Sequence, residues 1–182
     1  MAEHVNPLET LQSQRPADWD RLPDFALYMD QVLSYMERQV LPYDEDDVLT
    51  ASMVNNYTKS GLVPRAEGKK YNRTHLAYLT GICTLKHVLS TRDLDLLIRE
   101  ELGSNDHTVE TGYKAFCDSL DGALQTVMDQ IHQRPEGENL ADTAIHFAML
   151  SYAAGMMSNR YIALLKAEKG LEEEEGKRKK KK

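Results

Sequence analysis

The chain has 182 residues, of which 41% are hydrophobic and 28% charged, and its formal net charge is −7. This length suits one well-buried domain, or a small domain with a second helical unit. The sequence has no run of about 18 apolar residues and no charged-then-apolar start, so we expect neither a membrane span nor a secretory signal. We therefore expect a cytoplasmic protein in which Cys83 and Cys117 are reduced core thiols.

Charge is distributed unevenly along the chain. The net charge is −8 over residues 1–53, +5 over 54–87, −6 over 88–170 and +2 over 171–182. The acidic total argues against a nucleic-acid binder, but salt screens charges more than about 10 Å apart, so a local basic patch still attracts phosphates. Residues 54–87 are therefore where we expect any contact with nucleic acid.

A flexible leader and a helix are the first predicted elements. Residues 1–19 contain two prolines and scattered polar residues, which is typical of an extended leader, and Trp19 is expected to pin its end to the core. From Asp24 to Val40, apolar residues recur at steps of three and four, which indicates one face of a helix.

A second helix and a short basic segment follow. Thr50 is the predicted N-cap of this helix, Val54 is buried, and Gly61 is its left-handed C-terminal stop. Residues 62–71 include a proline and a glycine that prevent a continued helix. With its lysines and Tyr71, this segment is predicted to form a short wing.

Two more helices are expected before a boundary between lobes. One spans Thr74 to Leu89, and the next runs from Thr91 to Leu102, since Ser90 and Asp93 have capping-box spacing. Turn-forming residues from Gly103 to Asp106 then interrupt the helical pattern and mark the boundary.

The C-terminal part is expected to be a helical unit over residues 104–169 that dimerises or binds an effector. It contains a long amphipathic helix beyond Val109 and a last helix from Leu140 to Lys169, which is apolar on nearly all sides between Ala144 and Met157. Such a helix is central in a bundle or lies at a dimer interface. Residues 170–182 are low in complexity and highly charged, so we expect a disordered tail.

Residues 49–97 resemble the DNA-binding domain of the mercury-resistance-regulator (MerR-like) family. The likeness lies in four short segments and the helix between the last two, namely Val54 to Tyr57, Gly61 to Pro64, Gly68 to Tyr71 and Leu89 to Leu94. More closely, residues 18–100 resemble an uncharacterised bacterial domain family related to it. The resemblance implies an all-α fold with a MerR-like winged helix-turn-helix over residues 20–102, including a short wing hairpin.

Polar residues of the second helix and the wing are the candidate DNA contacts. They are Ser52, Asn55, Asn56 and Lys59 on the helix, and Arg65, Lys69, Lys70 and Arg73 in and beside the wing. Asparagine can form paired hydrogen bonds with an adenine edge, which favours the correct base over the wrong one by about 1 to 3 kcal/mol. Basic side chains bind phosphates. Tyr57 and Tyr71 are expected to pack the wing onto the core. The alternative for the polar residues is an ordinary solvated surface.

These features favour a homodimeric transcriptional regulator that binds specific sequences of double-stranded DNA. The second helix would read the major groove while the wing rests on phosphates. A protein-interaction adaptor is the alternative, because the chain is acidic and Asn55 and Asn56 stand where the resembled family has arginine and tyrosine. A third hypothesis is a small-ligand sensor with a pocket among Phe116, Phe147, Met149 and Met156.

We expect no enzyme, cofactor or metal site. Cys83 and His87 are four residues apart, but nothing else at metal-ligand spacing accompanies them. Cys117 lies in an apolar stripe, where a reactive thiolate is disfavoured. The sequence also has no phosphate-binding glycine loop and no nucleophile elbow.

Overall fold

Six α-helices and one short 3-10 helix form the secondary structure of this computed structural model, which describes residues 15–39, 47–103, 108–135, 137 and 139–171. The 3-10 helix spans Trp19–Arg21, and the α-helices are α1 (Met29–Met36), α2 (Ala51–Ser60), α3 (Arg73–Leu85), α4 (Thr91–Gly103), α5 (Val109–His132) and α6 (Leu140–Glu168). The all-α class is thus confirmed.

The wing hairpin predicted for residues 62–71 is not seen, because the described residues contain no β-strand. Two isolated bridge pairs lie there instead, one between Glu67 and Lys70 and one between Leu27 and Tyr71. A hairpin needs two consecutive segments that pair with each other. Here Tyr71 pairs with Leu27, far earlier in the chain, so the segment before Glu67 has no strand partner.

The chain divides into two compact units, residues 1–132 and residues 133–182. Helix α5 lies in the first unit and packs against α3, whereas the sequence predicts a separate unit over 104–169. Residues 1–14 of the leader, 104–106 of the predicted boundary and 172–182 of the tail lie outside the described residues.

Helix α3 is the centre of the first unit, because it buries side chains on two faces. On one face Leu76, Leu79 and Ile82 are fully buried and pack in the main hydrophobic cluster. That cluster also takes in residues from the other elements, namely Val32, Met36, Val54, Leu62, Val63, Tyr71 and Leu94. Full burial of a leucine or isoleucine side chain contributes about 1.5 to 3 kcal/mol, so α3 supplies a large share of the stability.

A second, smaller cluster on α3 anchors α5 and the described end of the leader. Ala77 of α3 packs there with Leu22 and Tyr113, and Trp19 lies against the Tyr113 ring at 6.0 Å. The Tyr113 hydroxyl donates a hydrogen bond to the carbonyl of Ala17 at 2.8 Å. Trp19 therefore packs on the core as predicted, and the chain is already bound to it from Ala17 onward.

Helix α1 is shorter than the helix predicted from Asp24 to Val40. Leu27 exchanges two backbone hydrogen bonds with Tyr71, each of 2.8 Å, which holds it in an extended conformation. Tyr28 is then the N-cap, and its amide donates to the Gln31 side chain at 2.9 Å. Apolar spacing alone predicted the longer helix, and a contact with a distant segment overrides it.

Both ends of α2 are confirmed. The Thr50 hydroxyl accepts a hydrogen bond from the Met53 amide at 3.2 Å. Gly61 closes the helix in the left-handed region at φ 82°, and the amide of Leu62 reaches back to the carbonyl of Tyr57 at 2.9 Å. This closure fixes the direction in which the chain leaves α2.

Gly61→Ala is expected to lower the free energy of unfolding by about 1 kcal/mol, since an L-residue is disfavoured at this positive φ. A Cβ at Gly61 would meet nothing within 4 Å, so the loss comes from the backbone rather than from a clash. Gly122→Ala in α5, where a Cβ also meets nothing, is the matched control and should gain about 1 kcal/mol from helix propensity. Urea unfolding measures both changes, and equal signs for the two variants would contradict this interpretation.

The second unit consists, in its described part, of α6 and its flanking residues. The Asn139 side chain caps α6 by accepting a hydrogen bond from the Ala141 amide at 2.9 Å. Large apolar side chains remain exposed along the helix, namely Ile145, Met149, Tyr152, Met156, Tyr161 and Leu164. None of the described helices is long and apolar enough to cross a bilayer.

Candidate functional site

Helix α2 presents one polar stripe to solvent. Val54 is fully buried and Tyr57 half-buried, which turns Ser52, Asn55, Asn56 and Lys59 to the exposed side. These four positions follow the steps of three and four residues that place side chains on one helix face. Burial also raises the pKa of the Tyr57 hydroxyl. The stripe therefore offers amide, hydroxyl and ammonium groups to solvent. The opposite face of α2 packs against the core and fixes the position of the helix.

A tight turn at Glu67–Lys70 presents two lysines. Gly68 and Lys69 both have positive φ, 55° and 66°, as in the two central residues of a type I′ turn. Glu67 and Lys70 exchange backbone hydrogen bonds of 2.9 and 3.2 Å across it. Lys69 and Lys70 are both exposed, so this small basic turn occupies the place where the wing hairpin was expected.

Tyr71 ties the basic turn to α3. The residue is 5% exposed and its ring packs edge-on against the His75 imidazole at 5.4 Å. His75 also contacts the carbonyl of Arg65 through Nε2 at 3.3 Å and forms a capping box with Asn72. Both sides of the basic turn are thus in contact with the N-terminal end of α3. The backbone that carries the two lysines is therefore held in place.

Lys70 is held beside an exposed aromatic ring. Its ammonium lies 5.3 Å from the centre of the Tyr28 ring, within the range of a cation–π contact. Tyr28 is 52% exposed and Phe25, three residues earlier, is 63% exposed. The basic turn therefore continues into the solvent-facing ring of Tyr28.

Lys69 has the only positive φ among the described non-glycine residues, and Lys69→Gly is expected to stabilise the protein. Relief of the left-handed conformation, less the extra entropy of an unfolded glycine, should leave a gain of about 0.5 to 1 kcal/mol. Lys70→Gly is the matched control and should lose stability, because Lys70 is outside the positive-φ region. Unfolding in urea distinguishes them, and a loss of stability in Lys69→Gly would contradict the strained conformation.

Arg73 contacts the protein interior rather than open solvent. Its Nη2 donates a hydrogen bond to the carbonyl of Leu22 at 3.0 Å, and its guanidinium lies over the Trp19 ring at 5.6 Å. These contacts favour a structural role that joins α3 to the 3-10 helix. Arg65 is exposed, so Lys59, Arg65, Lys69 and Lys70 are the basic residues that this surface offers to a phosphate.

Cys83 and His87 have separate surroundings. Burial raises the pKa of the Cys83 thiol to about 11, so little thiolate forms at neutral pH. His87 Nε2 lies 2.7 Å from the carboxylate of Asp47, which also pairs with Lys86. Within the described ranges, no group of three or more histidine, cysteine or acidic side chains is placed to hold a metal ion. Cys117 is half-buried, and burial raises the pKa of its thiol as well.

The four residues suggested for a ligand-sensor pocket fall in different units. Phe116 belongs to the first unit, while Phe147, Met149 and Met156 belong to the second. Met149 and Met156 are exposed on α6.

Sequence patterns miss two side chains of this surface. Tyr28 fits the apolar spacing of a helix face, yet it is exposed beside Lys70. Arg73 has the charge expected of a phosphate contact, yet its guanidinium is bound internally. The glycine before two lysines is a local signal for the basic turn, but no local signal marks the pairing of Leu27 with Tyr71.

Comparison with known proteins gives one family. Residues 17–116 match the model of a family described as Domain of unknown function (DUF1836). No curated protein and no solved structure matches the chain. The matched residues include the stripe on α2 and the basic turn, and they end within α5. The expected likeness to an uncharacterised domain family is thus confirmed, while nothing in these matches links the chain to the MerR-like family.

Proposed function

The chain belongs to the DUF1836 family of domains of unknown function, and we propose that it is a DNA-binding transcriptional regulator. The observation that supports this most is the exposed polar stripe of α2, followed after the glycine stop by an exposed basic turn. A helix and a basic loop in this order are what a winged helix-turn-helix uses to read a groove and grip its phosphates. The proposed fold class is accordingly MerR-like, with the basic turn in the role of the wing.

The stripe has the size and chemistry for a major groove. A helix of ten residues is about 15 Å long, and the groove of B-DNA admits one helix across its width of about 12 Å. Asn55 and Asn56 each present an amide that can donate and accept at an adenine edge. Ser52 and Lys59, one turn away on either side, would contact the flanking backbone.

The basic turn would bind phosphates. Its lysine side chains stand on a turn fastened to α3, so less freedom is lost on binding than from an unanchored loop. Lys70 is further restrained by the Tyr28 ring. Lys59 of α2, Arg65 and the two lysines of the turn would thus supply up to four cationic contacts per copy, and all of them lie within residues 54–87, whose net charge is +5.

Homodimerisation is part of the proposal. A single small reader contacts too little DNA for strong specificity, and two-fold pairing doubles the contacts. Apolar side chains exposed on α6, among them Ile145, Met149 and Tyr152, support association through that helix. Contiguous exposed apolar surface of this kind is typical of a protein–protein contact.

Selection of bound duplexes from a random DNA library tests the proposal. The protein should end at Leu171, so that the lysine-rich tail adds no nonspecific affinity, and the salt should be about 0.15 M. We expect an enriched palindromic motif that a dimer with two-fold symmetry would read. Absence of enrichment by a folded protein would contradict sequence-specific binding.

A protein-interaction adaptor is the second candidate, and the exposed aromatic side chains of Phe25 and Tyr28 favour it. Aromatic residues are enriched in protein interfaces, and Tyr28 lies beside the basic turn. An adaptor would use this surface for a protein partner without an enriched DNA motif. Recovery of one stable partner that Phe25→Ala and Tyr28→Ala disrupt, together with a failed DNA selection, would support it.

A further inference from the structure

A partly open cavity lies in the first unit between α3, α4 and α5. Its volume is about 160 Å³, and its surface is almost wholly apolar. Gly81 of α3, Leu97 and Ile98 of α4, and Val109 and Phe116 of α5 are among the residues that line it. This space is distinct from the α2 stripe and the basic turn.

Gly81 lines the cavity without a side chain to fill it. It lies inside α3, where glycine costs about 1 kcal/mol relative to alanine. Its backbone has no positive φ that would require glycine, and a Cβ there would meet nothing within 4 Å. Neither local geometry nor close packing therefore explains the glycine, whereas a larger side chain would fill the cavity. Gly112 of α5 lines the same space.

We infer that this cavity binds a small, uncharged apolar molecule about the size of one aromatic ring system. Cavities of about 150 Å³ lined by apolar side chains bind benzene when they are engineered into a protein core. Glu101 is the charged residue among the described lining residues, and none of these is basic, which disfavours an anion. The Tyr113 hydroxyl donates to the Ala17 carbonyl, so its ring rather than its polar group faces a ligand.

Helix α4 is the element that such a ligand would steady. Leu94 is its buried residue in the described part, while Leu97 and Ile98 are only half-buried along the cavity. An apolar ligand would complete the packing of these two side chains. Binding should therefore raise the melting temperature, and it should slow amide hydrogen exchange in α4. The inference does not depend on DNA binding.

The test uses the full chain with indole as the probe and benzoate as its anionic counterpart. We expect saturable indole binding in amide NMR spectra, with the largest shifts in α4 and around Gly81. Benzoate should bind about tenfold more weakly than indole or worse. Gly81→Leu should reduce indole affinity by at least about tenfold while the melting temperature stays level or rises.

A second variant keeps the test valid if Gly81→Leu fails to fold. Gly81→Ala adds one methyl group and improves helix propensity, so it should fold and weaken indole binding by about threefold. The absence of saturable indole binding by the natural chain would overturn the inference and identify the cavity as an unfilled void. Equal indole affinity in the natural chain and in both Gly81 variants would also overturn it.

Discussion

We expect that replacing both Lys69 and Lys70 by alanine weakens binding to every DNA sequence by about 10- to 100-fold at a salt concentration of about 0.15 M. Each lysine that neutralises a phosphate releases about one counterion, so the salt slope of the binding constant should fall by about two. The effect is independent of sequence, because phosphates carry no base information. Fluorescence anisotropy with a selected and a scrambled duplex measures affinity and slope together.

Two controls separate this effect from general charge and from base reading. Arg99→Ala with Lys114→Ala removes the same charge from α4 and α5, where each side chain pairs with an acid one turn earlier, and should leave the slope unchanged. Asn55→Ala should keep the slope but reduce the difference between selected and scrambled duplexes. Equal losses in the two double variants would show that the basic turn has no special part in binding.

Asp47→Ala is expected to lower the free energy of unfolding by about 3 kcal/mol, the largest stability effect that we predict for a single polar residue. The Asp47 side chain is 5% exposed, and its carboxylate pairs with Lys86 and lies 2.7 Å from His87 Nε2. The residue precedes Thr50, the N-cap of α2, while its partners follow the last turn of α3. Its removal would leave a partly buried ammonium without this partner and loosen the entry to α2.

Lys86 gives this prediction a pH dependence. Burial by itself lowers the pKa of the Lys86 ammonium, but the hydrogen bond and charge of Asp47, with smaller contributions from Cys83 and Tyr57, together outweigh burial and raise the pKa above its usual value. Since the folded-state pKa is higher than the unfolded one, this contribution is complete at neutral pH and is lost as the pH rises through the folded-state value.

An exposed ion pair supplies the control for Asp47→Ala. Asp95→Ala breaks the Asp95–Arg99 pair of 2.9 Å on the surface of α4 and should cost less than about 0.5 kcal/mol. Urea unfolding at pH 7 compares the two variants with the natural chain. A change of similar small size in both would mean that Asp47 is not a structural link between α2 and α3.

Local signals predict α2 well because its limits are set by neighbouring residues. Thr50 and Gly61 act within one turn of the helix, and Val54 and Tyr57 define the inner face by spacing alone. The exposed positions of Asn55 and Asn56 then follow, since side chains opposite a buried face must point to solvent. The candidate stripe could therefore be read from the sequence.

Long-range contacts account for what the sequence does not predict. Leu27 pairs with Tyr71, which shortens α1 and replaces the expected hairpin by a single turn. Arg73 is held by the Leu22 carbonyl and the Trp19 ring, a partnership that its charge does not suggest. The apolar face of α5 is evident from spacing, but spacing cannot tell that α3 is the surface it covers.

The most direct test of the central claim is a salt titration of binding to a random-sequence DNA duplex, with the full chain and a version that ends at Leu171. If Lys59, Arg65, Lys69 and Lys70 contact phosphates, the version without the tail should bind at low salt, and the logarithm of its binding constant should fall with a slope of about −3 to −4 per copy. An absence of binding at about 0.05 M salt, or binding that depends wholly on the tail, would contradict the proposal that α2 and the basic turn form a DNA-binding surface.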